Sequence, residues 1–382
     1  MKFRIFARFV LMLVFAVVVG FISTTLARNV MLEQWPLEDS WIVELKNFTP
    51  VEKTSESTEV LGTWETTELD IQILHLSGEK KGSSATVRVE HLDTSGIDLK
   101  TGQHYVLSFN DYEDGKRVYF ITDLFRAPIL VGILAASAAF FCLVAGGAGV
   151  RALSALLLSF VILIKVLLPG LLRGQSPQVL TVMVVAGVVV ITVILVLRRR
   201  SCWPSAFLGA LGGCASALLF GWFSVILLDL SGLSTENGSL LASTLPELNL
   251  RGILLSSIII GASGAVLDVA ISVTSSMAEM KDYNPDIPSA DLFQSGLNVG
   301  REVLGSMVNT LVFAYFGNSL VLALLITEAE PVPMALLNNP AVAEEIVRGL
   351  AGTAGLLLTI PLTALFGVTF QPRKETESIT DA

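Results

Sequence analysis

Eight stretches of the chain are apolar over about 20 residues, the length that crosses ~30 Å of hydrocarbon as a helix. They cover 9–27, 127–147, 152–172, 178–197, 205–228, 252–277, 303–327 and 349–370. Between the first and second the pattern changes to period two. Ile71 and Ile73 flank Gln72, Val87 and Val89 alternate with Arg88 and Glu90, and Tyr105, Leu107 and Phe109 repeat the alternation. Ser77-Gly78, Thr101-Gly102 and Asp114-Gly115 punctuate these runs as turn signals. The pattern predicts a polytopic α-helical membrane protein of about eight transmembrane helices. A small antiparallel β domain, OB-like, stands outside the cytoplasm between helices 1 and 2. The expected division is an N-terminal anchor at 1–27, the extracytoplasmic β domain at 28–126, a seven-helix membrane domain at 127–370 and a cytoplasmic tail at 371–382. Thr25-Leu26-Ala27 also reads as a signal-peptide cleavage site, but the long apolar run favours an uncut anchor.

Composition agrees: of 382 residues 52% are hydrophobic and 15% charged, against roughly 25% charged in a soluble domain. A water-soluble enzyme is excluded. Residues 28–126 hold 18 of the 34 acids and 10 of the 25 bases, a net −8, which argues against a nucleic-acid partner. Elsewhere the bases order the topology. Lys2, Arg4, Arg8, Arg151, Arg198, Arg199, Arg200, Lys281, Arg301, Arg373 and Lys374 share one side if both termini are cytoplasmic. Cys142, Cys202 and Cys214 lie in or beside apolar runs and read as packing residues. His75, His91 and His104 match no compact ligand spacing, so neither metal nor cofactor is expected. Trp35, Trp41 and Trp64 read as core or interface.

The sixth and seventh runs carry the chemistry. Gly261, Gly264, Asp268, Ser272, Ser275 and Glu279 step by three or four and share a helix face. Small and hydroxylated residues suit close helix approach, but a carboxylate in hydrocarbon costs several kcal/mol and tends to mark an ion or proton route. Asn298, Glu302, Gly305 and Asn309 form a second stripe. If Glu279 and Arg301 mark the cytoplasmic boundary, Asp268 lies about 16 Å inside and Asn309 about 12 Å, so a hydrogen bond between them is feasible. Arg301 is expected to snorkel toward Glu279 or Glu302. Gly209, Gly213, Gly352 and Gly355 suggest close packing. Glu344, Glu345 and Arg348 read as a capped, solvated helix start.

No phosphate-binding loop, metalloprotease helix or nucleophile elbow is present, and no enzyme activity is expected. The leading expectation is transport of a small solute or ions, or a proton-coupled membrane process. Asp268, Ser272, Ser275 and Asn309 form the pathway, and Glu279, Asn298, Arg301 and Glu302 the cytoplasmic mouth. The alternative is a non-transporting envelope assembly or sensor protein whose β domain binds an envelope protein. Expected partners are the lipid bilayer and an unknown solute, ion or proton.

Several runs resemble a known family: Gly261 to Glu279; Gly300-Arg301-Glu302-Val303-Leu304-Gly305-Ser306-Met307-Val308-Asn309-Thr310-Leu311; Arg348-Gly349-Leu350-Ala351-Gly352; and Ile360-Pro361-Leu362. Together with Leu76-Ser77-Gly78-Glu79-Lys80-Lys81-Gly82 and Leu99-Lys100-Thr101-Gly102 they resemble the YibE/F-like multitransmembrane proteins of bacteria. Glu302 stands where the resemblance leads one to expect Asp. That family has no established activity, so the resemblance implies architecture and a bacterial cell (inner) membrane, not a reaction.

Overall fold

The computed structural model describes residues 2–34, 40–58, 62–78, 80–92, 97–111, 117–234, 236–329 and 337–370. It divides into two compact units, Met1–Gly149 and Val150–Ala382.

The first unit holds helix α1 (Lys2–Glu33), five strands and the start of α2 (Ala127–Ile162). The strands are β1 (Ser40–Thr58), β2 (Gly62–His75), β3 (Ser84–Leu92), β4 (His104–Asp111) and β5 (Arg117–Leu124). They close into a barrel in the order β1-β2-β3-β5-β4. The long β1 makes this possible by pairing with both β2 and β4, and it bends at register shifts beside Asn47 and Pro50. All pairings are antiparallel except one. β3 and β5 run parallel, with Val89 opposite Tyr119, which corrects the expectation of a wholly antiparallel barrel. The alternation read from sequence is the inward face: Ile71, Ile73, Val89, Tyr105 and Leu107 are buried together with Val43, Leu45, Leu69 and Ile121, while Val87 and Phe109 are half-buried. Tyr105 is fully buried, and its hydroxyl accepts from the Lys100 N–H at 2.8 Å. The Asp114-Gly115 turn, Trp35 and the side chains of Trp64 and His91 lie outside the described residues.

The first unit ends just beyond a break in α2. Gly146 there has φ 58° and ψ −140°, a region that only glycine enters without strain. The break falls at the end of the second apolar run.

In the second unit a π-helical turn (Leu163–Leu167) leads to α3 (Leu168–Leu172), α4 (Pro177–Val196), α5 (Trp203–Leu227) and α6 (Glu236–Thr244). Then come α7 (Leu250–Tyr283), α8 (Ser289–Asn318), α9 (Leu320–Ala329) and α10 (Pro340–Phe370). Helix α7 is central and packs on α4, α5, α8 and α10. Its start is capped by Asn249, whose side chain accepts from the Gly252 N–H at 2.9 Å. It stops before Pro285, which disfavours helix at the preceding residue. Val266, Val269, Ala270, Val273 and Met277 are buried on its inner face. Helices α5 and α10 approach so closely that a Cβ on Gly213 would sit 1.9 Å from Thr359 Oγ1.

Six helices among the described residues are long and apolar enough to cross a membrane: Phe9–Glu33, Ala127–Leu172, Pro177–Val196, Arg200–Leu227, Leu250–Tyr283 and Pro340–Phe370. The second and third apolar runs share the 46-residue stretch Ala127–Leu172. The seventh run, expected as one helix, is divided between α8 and α9. Ser319 closes α8 through N–H bonds to the Tyr315 and Phe316 carbonyls, after the helix-weakening pair Gly317-Asn318.

Candidate functional site

The period of α7 places Gly261, Gly264, Asp268, Ser272, Ser275 and Glu279 on one face, opposite the buried valines. That face is open. Gly261, Gly264, Asp268 and Glu279 are exposed, and Ser272 and Ser275 are half-buried. Helices α4 and α8 both pack on α7 without filling the stripe. Ile260 packs with Leu180 and Val184 of α4, while Gly261, one residue on, meets Tyr315 of α8. A Cβ added at Gly264 or at Gly305 would meet nothing within 4 Å.

Helix α8 runs antiparallel to α7, with Gly296 against Met277 and Tyr315 against Gly261. This register sets Asp268 level with Ser306 and Met307. Asn309 lies about a turn further along and is exposed. Among the described residues the Asp268 carboxylate has no hydrogen bond or ion pair, so the feasible bond to Asn309 is not made. A polar track therefore runs about 27 Å along α7, from Gly261 to Glu279.

At the Glu279 end the track enters a cavity of about 600 Å³ lined by Arg151, Arg198, Arg199, Cys202, Ser275 and Glu279 among others. Arg199 organises it. Its guanidinium pairs with Asp282, lies 3.9 Å from Glu279 Oε1 and donates to the Ala278 carbonyl at 3.5 Å. The Asp282 carboxylate holds Arg199 above its ordinary pKa, so this cation stays charged at any working pH. Arg151 Nε is buried without a hydrogen-bond partner among the described residues. Arg301 is elsewhere. It donates to Asn298 Oδ1 at 3.4 Å, as does Gln294 at 3.1 Å, and Glu302 is exposed beside it. The mouth residues thus separate into two groups, Glu279 with Arg199 and Asn298 with Arg301. Arg301 does not reach Glu279: it bonds Asn298, and the guanidinium beside Glu279 is that of Arg199.

At the Gly261 end the Tyr315 hydroxyl would lie 2.6 Å from a Cβ there, and its ring would lie 3.5 Å from a Cβ added at Gly349. The neighbouring Arg348 pairs with Glu345, both largely covered. Glu344 is only 4% exposed, and its Oε1 accepts from the Gly232 N–H at 3.1 Å and from Ser234 Oγ at 2.7 Å. This helix start is a buried clasp onto the loop between α5 and α6, not the solvated cap expected from its sequence. Tyr315, Arg199 and Asp282 were not singled out as site residues. The signals were faint: an Asp one turn beyond Glu279, and a tyrosine in an otherwise apolar stretch.

A family model described as YibE/F-like protein matches residues 133–373, more than half of the chain. No curated protein and no solved structure matches it.

Proposed function

The chain belongs to the YibE/F-like family, and for this member we propose a multipass protein of a bacterial cell (inner) membrane whose α7 track carries a small solute, ions or protons. The reading rests on one observation: an unpartnered carboxylate, Asp268, on the open polar face of a helix apolar enough to span a bilayer. Facing lipid, that carboxylate costs ~2.5–3.5 kcal/mol on insertion scales and more in simulation. A water-lined groove removes the cost. Asp268 is the proton- or cation-binding group, and Ser272, Ser275 and Asn309 line its route. Glu279, Asn298, Arg301 and Glu302 form the cytoplasmic mouth, joined by Arg199.

Eight crossings follow if Ala127–Leu172 crosses twice and α8 with α9 completes another; at 1.5 Å per residue, 46 residues reach about twice the hydrocarbon thickness. Both termini are then cytoplasmic, and the excess of bases falls on that side. The strand order with its parallel β3–β5 pair supports an OB-like barrel outside the cytoplasm. No chemical transformation of the cargo is assigned.

The test is flux into liposomes with a trapped pH dye under an imposed membrane potential, comparing wild type with Asp268→Asn. Dye response in wild type, lost in a folded mutant, is expected. Equal flux through both would refute the role of Asp268. A second reading, a non-transporting assembly or sensor protein, draws on a cavity in the β domain lined in part by Lys80, Arg88 and Arg117. It expects Asp268→Asn to be tolerated and loss of residues 40–120 to abolish function.

A further inference from the structure

One end of the barrel is unfilled. The inward alternation that builds the core also turns Trp41 of β1, His75 of β2, Phe109 of β4, and Arg117 and Tyr119 of β5 toward the lumen at this end. They do not close it. A cavity of about 410 Å³ is lined by Trp41, His75, Lys80, Arg88, Arg117 and Tyr119, together with Ser83 and the β3 residues Ala85 to Val87. Its volume lies in the range of small-molecule sites, roughly 300–1,000 Å³, and barrel mouths are a common place for them.

Three features point to a ligand. His75 is 3% exposed, yet its Nδ1 has no hydrogen-bond partner, and a buried polar atom left unpaired costs about 1–3 kcal/mol. The aromatic rings form a platform: Trp41 stacks on Phe109 with centroids 4.8 Å apart, and Tyr119 lies 6.2 Å from Trp41. The lining charges have one sign, with three cations and no carboxylate among the described residues, within a segment of net −8. Arg88 forks onto the half-buried Asp70 and Arg117 onto the exposed Asp111, two-point pairs that hold both guanidiniums in place at the wall. Lys80 has no ion pair among the described residues and sits 4.9 Å over the Trp41 ring, held there by cation–π attraction. A mobile lysine chain can lift from that face.

We propose that this end of the barrel binds a small polyhydroxylated anion of the sugar-acid type. Its ring lies on the Trp41 face that Lys80 vacates, a hydroxyl pairs with His75 Nδ1, and its negative group meets Lys80 and Arg117. A hydroxyl both donates and accepts, so it satisfies either tautomer of a neutral imidazole. Burial and the Lys80 charge hold His75 below its ordinary pKa, which keeps it neutral at pH 7. The site is independent of the α7 track.

The test uses the full chain in nanodiscs of uncharged lipid, titrated with glucuronate, glucose and inorganic phosphate and read by tryptophan fluorescence and calorimetry. Glucuronate is expected to bind saturably, glucose and phosphate each about tenfold or more weakly. Lys80→Ala, at an exposed position outside the barrel core, should weaken glucuronate by a similar factor. His75→Phe, which keeps the volume, should do the same. No saturable glucuronate response up to 10 mM overturns the proposal. So does phosphate binding as well as glucuronate, or an affinity unchanged in both variants.

Discussion

If the α7 stripe is an open track and α5–α10 a sealed seam, one added methyl group should distinguish them. At Gly209 a Cβ would lie 1.9 Å from Thr363 Oγ1, 2.8 Å from its Cβ and 2.9 Å from its Cα. Rotating the threonine relieves only the first contact, since the Cα belongs to the α10 backbone. The helices must separate, and forced overpacking of this kind costs about 1–3 kcal/mol. At Gly264 the same methyl meets nothing within 4 Å. Helix propensity favours alanine at both sites, by up to about 1 kcal/mol in water, and this cancels in the comparison. Gly209→Ala should therefore be less stable than Gly264→Ala by roughly 1–3 kcal/mol. Unfolding by denaturing detergent, followed by circular dichroism in otherwise mild micelles, reads the difference. Equal destabilisation by the two substitutions would mean that the stripe is a packed interface, and the open track would fall.

Two further predictions concern the barrel and the clasp. His75 lies below its ordinary pKa through burial and Lys80, and His104 through burial and Arg28 with Glu44 opposing. The unfolded chain takes up protons near pH ~6.5 that the folded barrel refuses, so barrel stability is full above that pH and is lost as pH falls below it toward the folded values. Thermal unfolding should show a lower midpoint at pH 5.5 than at 7.5, with the dependence reduced in His75→Phe; a flat wild-type profile refutes it. Glu344→Ala leaves the Gly232 N–H and Ser234 hydroxyl without their acceptor, a loss of about 1–3 kcal/mol. Its unfolding midpoint should drop well below that of Glu345→Ala, whose pair with Arg348 lies within a single helix turn. The reverse order would show that the clasp adds little.

Much of this architecture was legible in the sequence because the periods are local. Alternation at 71 and 73 named the inward face of β2, and the three-and-four spacing from Gly261 to Glu279 named the polar face of α7. Periodicity says which residues share a face, not what covers it. The glycines and serines of the stripe read as a helix contact and Asp268 as a route, and the periodicity could not show the empty space at Gly264 and Gly305. Partners chosen over long sequence distances were not legible. Glu279 pairs with Arg199 and not with Arg301, Tyr315 meets Gly261, and Glu344 folds back on Gly232. The parallel β3–β5 seam escaped for the same reason, since turn signals describe neighbours and barrel closure joins strands that are not neighbours. The open barrel end needed the register of four strands at once, which brought Trp41, read only as core or interface, and His75, read only as matching no ligand spacing, into the wall of one cavity.

The central claim is that the face of α7 bearing Asp268 meets water inside the membrane, and thiol accessibility tests it most directly. In a background with Cys142, Cys202 and Cys214 replaced by alanine, single cysteines go in at Gly264, Ser272 and Val269, and intact proteoliposomes meet a membrane-impermeant thiosulfonate. Gly264→Cys and Ser272→Cys should be modified within minutes, while Val269→Cys, fully buried and off the stripe, should not react. If all three are equally inert while a loop cysteine in the same vesicles reacts, the stripe is dry and the track does not exist.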